Sequence, residues 1–150
     1  LGSHALLTAL VHVQNGAAEW TEQDESQVTY ASKVGKGELD LDPRDTAEAA
    51  VRKVRASSGA HPARAVVAAR PVTVLALRAV EDDRGRELAG GLAAGEVRFA
   101  GKRLFLGFAD GAAEVASVKP DGRQAMDAKA FAAGVQGIKQ ETLSWEAAHE

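Results

Sequence analysis

The chain has 150 residues, 45% hydrophobic and only 5% aromatic, with no Cys and a formal net charge of −3. That composition suits one compact domain, or one domain plus an attached arm, with a core of small side chains. It excludes a disulfide framework and thiol chemistry, and the lack of any apolar run near 18 residues excludes a membrane-spanning helix.

In chain order, residues 3–14 predict an amphipathic helix. Leu6, Leu7, Leu10, Val11 and Val13 fall near helical spacing, Ser3 is the candidate N-cap, and Asn15-Gly16 is the stop. A helix of about three turns is marginal alone in water, so it reads as the last element of something upstream. Its sequence has neither a basic n-region nor a small-residue cleavage site, and no signal peptide is expected. Residues 17–36 lack a helical period and read as an extended linker, with Trp20 and Tyr30 as anchors by plain packing.

Residues 39–59 form the next unit. Asp42-Pro43 breaks the chain, Asp45 or Thr46 caps a helix over 45–57, and Glu48 stands at capping-box spacing from Asp45. Arg52, Lys53 and Arg55 in its last turns offset the helix dipole. From His61 the period becomes two. Strands are predicted at 63–69, 71–80, 96–100, 102–109 and 111–118, with 72–80 central because it is apolar on both faces. Residues 81–95 read as a polar, Gly-rich connection, and Asp127 caps a short helix that Gly134 and Gly137 end. The expected fold is mainly β with flanking helices. It is a small open antiparallel β-barrel of five or six strands, preceded by a helix and an extended linker. The segment after 137 is weakly amphipathic; docking through Leu143 and Trp145 and a lead into further sequence both stay open.

No catalytic residue and no metal ligand set can be assembled. His4, His12, His61 and His149 show no metal-ligand spacing. No Gly-x-Ser-x-Gly, Walker loop or His-Glu-x-x-His occurs. Gly35-Lys36-Gly37-Glu38 reads as a linker kink, and Asp40 and Asp42 as turn residues. Charge is uneven: residues 1–60 hold 6 Lys+Arg against 9 Asp+Glu, residues 61–126 hold 10 against 8, and residues 127–150 hold 2 against 4. Any polyanion must therefore meet a local patch. These features describe a binding or accessory domain.

Two motifs, in order, carry a resemblance. The linker holds Thr29-Tyr30-Ala31-Ser32-Lys33, and the barrel ends in Val118-Lys119-Pro120-Asp121-Gly122-Arg123-Gln124-Ala125-Met126. Over roughly residues 3–134 the chain resembles the C-terminal part of the methionyl-tRNA formyltransferases, within the formyltransferase superfamily. The family commonly carries Thr-Tyr-Ala-Pro-Lys in the linker and Gln-Pro-x-Gly-Lys-Lys-x-Met at barrel closure. Here Ser32 stands in place of Pro, Lys119 in place of Gln, and Gln124 in place of the second basic residue.

The resemblance implies an organisation and a role. Residues 1–16 would be the last helix of a truncated Rossmann-like catalytic domain, 17–37 the linker, 38–137 the barrel domain and 138–150 a C-terminal tail. The absent domain would bind 10-formyltetrahydrofolate and carry the catalytic groups, so no cofactor is expected within this stretch. The barrel would be of the OB-like, formyltransferase C-terminal type, and would help bind tRNA in the cytoplasm, in translation initiation. Lys33 and Arg123 are the candidate contacts implied by the two motifs; Lys102, Arg103 and Lys119 join them because they sit in turns or at strand ends. Met126 would plug the barrel end, and filling an irregular gap explains it equally. Two other roles stay open: a supporting domain in a formyltransferase acting on a small amine (an amino sugar or an ornithine-type side chain), and a protein-interaction barrel in a larger chain.

Overall fold

A computed structural model describes residues 1–148. The chain divides into two units, at Lys33/Val34. His149 lies outside the described residues.

The first unit holds helix α1 (Gly2–Gln14). The expected cap is absent: Leu1 is the N-cap, and no side chain accepts from the first turn. The helix ends where predicted, with Gly16 at φ +64. Leu6, Leu7, Leu10, Val11 and Val13 are all at least half exposed. Trp20 and Tyr30 are exposed as well, so neither is the buried anchor that the sequence suggests. Asp24 organises one short 3-10 turn, Glu25–Gln27, by accepting from the backbone and hydroxyl of Ser26 and the amide of Gln27.

The second unit contains α2 (Ala47–Ala56), β1 (Arg64–Val67), β2 (Arg70–Ala79), α3 (Asp83–Ala89), β3 (Glu96–Ala100), β4 (Arg103–Phe108), β5 (Gly111–Pro120), β6 (Met126–Asp127), α4 (Ala128–Ala133) and β7 (Leu143–Ala147). The strands run β2-β1-β7-β3-β4-β5, and β5 pairs back onto β2. The result is a closed six-stranded antiparallel barrel, with the two-residue β6 added to the second half of β5. The sequence predicts the same mainly β, helix-flanked barrel, but as an open one. Closure comes from β7, which fills the gap between β1 and β3.

The core follows from the alternation. Val72, Val74 and Leu77 of β2, Val97 of β3, Leu104, Leu106 and Phe108 of β4, and Val115 and Val118 of β5 all point inward. Leu41, Val54, Phe131, Ile138 and Trp145 fill the remaining space. The strand buried on both faces is β4, not β2: Leu75 of β2 is 43% exposed, whereas Phe105 of β4 packs outward under Ala89 and Leu92. The cover over Phe105 is α3, which the sequence presents as a polar connection. Asp82 starts that helix by accepting from the Gly85 N–H.

At α2 the cap is Thr46, whose hydroxyl accepts from the Ala49 N–H. Asp45 is therefore free of the capping box and instead pairs with Lys53 at 2.8 Å. Asp127 caps α4 as expected. Met126 is half-buried against the core, across the ladder from Val118.

Candidate nucleic-acid interface

The five basic residues singled out in the sequence have different surroundings. Lys33 belongs to the first unit and is exposed. Lys102 sits at the second position of the two-residue turn between β3 and β4. Gly101 and Lys102 have φ +58 and +65, and Ala100 faces Arg103 across the ladder. This is the type I′ geometry that two-residue hairpins favour, and it projects Lys102 into solvent. Lys119 is exposed on β5, opposite Thr73 of β2. Arg123 is exposed in the turn after β5, where its N–H donates to the Pro120 carbonyl at 3.0 Å.

Arg103 is different. Its guanidinium donates to both oxygens of Asp82, at 2.8 and 2.9 Å, and to Glu114 Oε2 at 2.5 Å. It also lies over the Phe105 ring, 5.3 Å from the centroid. Hydrogen bonding to Asp82, then to Glu114, raises its pKa further, and the Arg103 bond holds the Asp82 carboxyl well below the usual carboxylate range. Its donors face two carboxylates of this chain, so it braces α3 to the barrel.

The ladder brings three of the others to one end of the barrel. β4 runs antiparallel to β5, so the start of β4, and Lys102 before it, lies toward the C-terminal half of β5. That half carries Lys119 and leads into Arg123. None of the three is in an ion pair among the described residues, whereas seven ion pairs elsewhere join Arg44, Arg52, Lys53, Arg84, Arg86 and Arg103 to carboxylates. Asp121 adds one exposed carboxylate to the same turn.

Two basic residues that the sequence did not single out, Arg70 and Arg98, have structural roles. Arg70 donates to the Gly134 carbonyl at 2.5 Å, tying α4 to the start of β2. Arg98 donates to the Leu88 and Gly90 carbonyls at the end of α3. Arg55 is exposed at the end of α2 and lines a groove with Lys119. The helix dipole explains Arg55 from sequence; only the packing of α2 on β2 and β5 sets it beside Lys119.

The residues examined for catalysis are held in turns. The Glu38 carboxylate accepts from the Gly35 N–H at 2.6 Å, which makes 35–38 a closed kink. Asp40 accepts from the Arg64 N–H, and Asp42 accepts from the backbone and side chain of Arg44. The Arg44 side chain lowers the Asp42 pKa to about 2. Among the described residues no group of three or more His, Asp and Glu could hold a metal ion. No helix among them is long and apolar enough to cross a membrane.

A closed, helix-flanked antiparallel barrel with exposed cations at one end defines a small OB-like barrel domain. The comparisons sharpen that class. The family described as "Formyl transferase, C-terminal domain" matches residues 33–136. The chain belongs to this family. It is 30% identical over 137 residues to the methionyl-tRNA formyltransferase of Corynebacterium jeikeium (strain K411), covering 91% of this chain and 41% of that protein. The methionyl-tRNA formyltransferase of Rhodopseudomonas palustris (strain TIE-1) is 31% identical over 137 residues, covering 89% and 41%. That of Halorhodospira halophila (strain DSM 244 / SL1) is 35% identical over 122 residues, covering 81% and 38%. The chain thus spans about 41% of the length of the first curated relatives it matches. The fold is shared with HypX from Aquifex aeolicus, solved in complex with tetrahydrofolic acid. The TM-score is 0.62 at 19% identity, covering 98% of this chain and 26% of that one.

Proposed function

We propose that this domain helps a methionyl-tRNA formyltransferase bind and position tRNA while a formyl group passes from 10-formyltetrahydrofolate to the amino group of the methionyl-tRNA. The observation that carries the reading is the set Lys102, Lys119 and Arg123: three exposed cations that form no ion pair among the described residues, on a chain similar over most of its length to methionyl-tRNA formyltransferases. Exposed cations on turns and near strand ends reach phosphate oxygens, contacts that position a nucleic acid without reading its sequence. Lys33, from the linker motif, is a fourth contact in this reading. Arg103 supports the surface from beneath, through Asp82 and Glu114.

The formyl donor and the catalytic groups belong, in this reading, to the part of the enzyme outside residues 1–150. The domain's contribution is orientation: it holds the tRNA body so that the aminoacyl end meets a separate active site. The role belongs to the cytoplasm and to translation initiation.

The test is a filter-binding titration of bulk tRNA at two or more salt concentrations. The wild type should show weak, salt-dependent binding with a slope of about −2 to −4, the signature of two to four phosphate contacts. Lys102→Glu with Arg123→Glu should abolish it. Wild-type binding without salt dependence, or no binding, would remove tRNA as the partner. The supporting domain of a small-amine formyltransferase would then be the better reading.

A further inference from the structure

The groove beside the end of α2 is the feature that the fold does not explain. It has a volume of about 610 Å³ and is bounded by Arg55, Ser57, Ser58, Thr73, Leu75 and Lys119, with Val54, Gly59 and Pro62 completing its wall. Three separate elements build it: the end of α2, β2 and β5. No carboxylate lines it. The grooves around Lys36 and Arg64, and around Arg86, each include Asp or Glu. The groove near Arg70 has no acid, but Arg70 already donates to the Gly134 carbonyl there. The Arg55–Lys119 groove is therefore the one of the five that holds two cations and no competing acceptor charge. Neither cation forms an ion pair among the described residues, and both are exposed.

We infer that this groove is an oxyanion site, holding one phosphate group between Arg55 and Lys119. The guanidinium offers paired donors and the ammonium a point charge, a combination suited to tetrahedral oxyanions. The Thr73 and Ser58 hydroxyls supply neutral donors on the same wall; Ser58 Oγ already accepts from the His61 N–H, which leaves its proton available to a ligand. The adverse element is α2 itself, whose C-terminal carbonyls repel anions. That repulsion is reduced here: both the N–H and the hydroxyl of Ser57 donate to the Val54 carbonyl. Lys53 and Arg55 add positive charge to the last turn, although Lys53 is itself paired with Asp45. Asp121, two residues after Lys119, does not line the groove.

That the phosphate is a phosphodiester of the tRNA backbone rests on the tRNA reading above; the anion site itself does not. On that reading Arg55 extends the contact surface from the barrel end onto α2, and the hydroxyl wall gives the groove partners for a ribose 2′-OH.

The experiment uses the 150-residue chain. Inorganic phosphate is titrated and followed by backbone amide NMR. Saturable shifts of Ser58, Gly59 and Thr73, absent in Arg55→Gln/Lys119→Gln, are expected; no saturable shift in the wild type overturns the site. The same variant is then compared with Lys102→Gln/Arg123→Gln in salt-dependent tRNA binding. Each contact removed should reduce the slope by about one. If the groove variant binds tRNA with the wild-type slope while the turn variant loses slope, the tRNA reading stands and the groove's part in it is overturned. If the phosphate shifts occur but the wild type binds no tRNA, the oxyanion site stands and the tRNA reading falls.

Discussion

At the scale of single residues, the barrel depends on positions whose importance has little to do with their side-chain chemistry. Gly107 lies in β4 where the segment after α3 crosses. A Cβ there would sit 1.9 Å from the Ala93 carbonyl oxygen, and that oxygen is backbone and cannot step aside. Its own carbonyl accepts from the Gly95 N–H at 3.1 Å and the Trp145 indole at 3.0 Å. Gly107→Ala should therefore break the crossing and prevent folding, seen as loss of soluble protein or of a cooperative melt. Ala69 is the opposite case. Ala68 and Ala69 form the β1–β2 turn with φ +51 and +59, a conformation that L-residues adopt at a cost of about 1–2 kcal/mol each. Ala69 is exposed, so replacing it removes no packing. The extra chain entropy of Gly offsets roughly 0.5–1 kcal/mol of the relief. Ala69→Gly should stabilise the domain by about 0.5–1 kcal/mol net, measurable by urea unfolding; a destabilised variant would show that the turn is not strained.

At the scale of elements, α3 is held by charge as much as by packing. Asp82 both caps α3 and receives Arg103, which also reaches Glu114 of β5. One guanidinium thus joins the α3 entry, β4 and β5. Arg103→Gln leaves Glu114, 21% exposed, without its cation, and should lower the melting temperature more than Lys102→Gln, which removes a charge from open solvent. Equal effects would mean that Arg103 is not a brace. The pH dependence follows with a definite sign. The folded pKa of Asp82 lies below its unfolded value, as does that of Asp42, at about 2. Their stabilisation is fully present above the unfolded value of about 3.9 and is lost as pH falls through the folded values. The melting temperature should hold to about pH 5 and decline toward pH 2. Asp82→Asn should start lower and decline less steeply over that range, because one of the linked protons is gone.

At the scale of the whole barrel, closure depends on its last strand. β7 pairs with β1 on one side and β3 on the other. Its Trp145 is 3% exposed and packs edge-on against Phe108, with centroids 4.9 Å apart. Ending the chain at residue 142 would remove this aromatic plug and leave β1 and β3 as open edges, which invite pairing between copies. The truncated chain should aggregate or lose its cooperative melt, read by light scattering and circular dichroism. A monomeric, cooperatively folding truncation would show that the six-strand closure is dispensable.

Much of this was legible in the sequence. The helices at 3–14 and 45–57, the strand ladder from 63 to 118, the Asp127 cap and the small helix-flanked barrel follow from periodicity and turn residues, because those signals act within a few residues. The two motifs around Lys33 and Arg123 also pointed to the family that the comparisons confirm. What lay beyond local pattern was decided by contacts distant along the chain. Glu-Asp-Asp-Arg-Gly-Arg-Glu reads as a polar connection, yet it folds as α3 because Phe105 needs a cover and Arg103 needs two carboxylates. The segment 143–147 lies in a weakly amphipathic stretch without the alternation and turn signals of the other strands, yet it becomes one because it fills the gap between β1 and β3. Arg103 and Arg55 are both basic residues near the end of an element, and nothing local separates them. The fold sets one between Asp82 and Glu114 and the other beside Lys119 in a groove without acids, because a side chain's partners are chosen by which elements pack together.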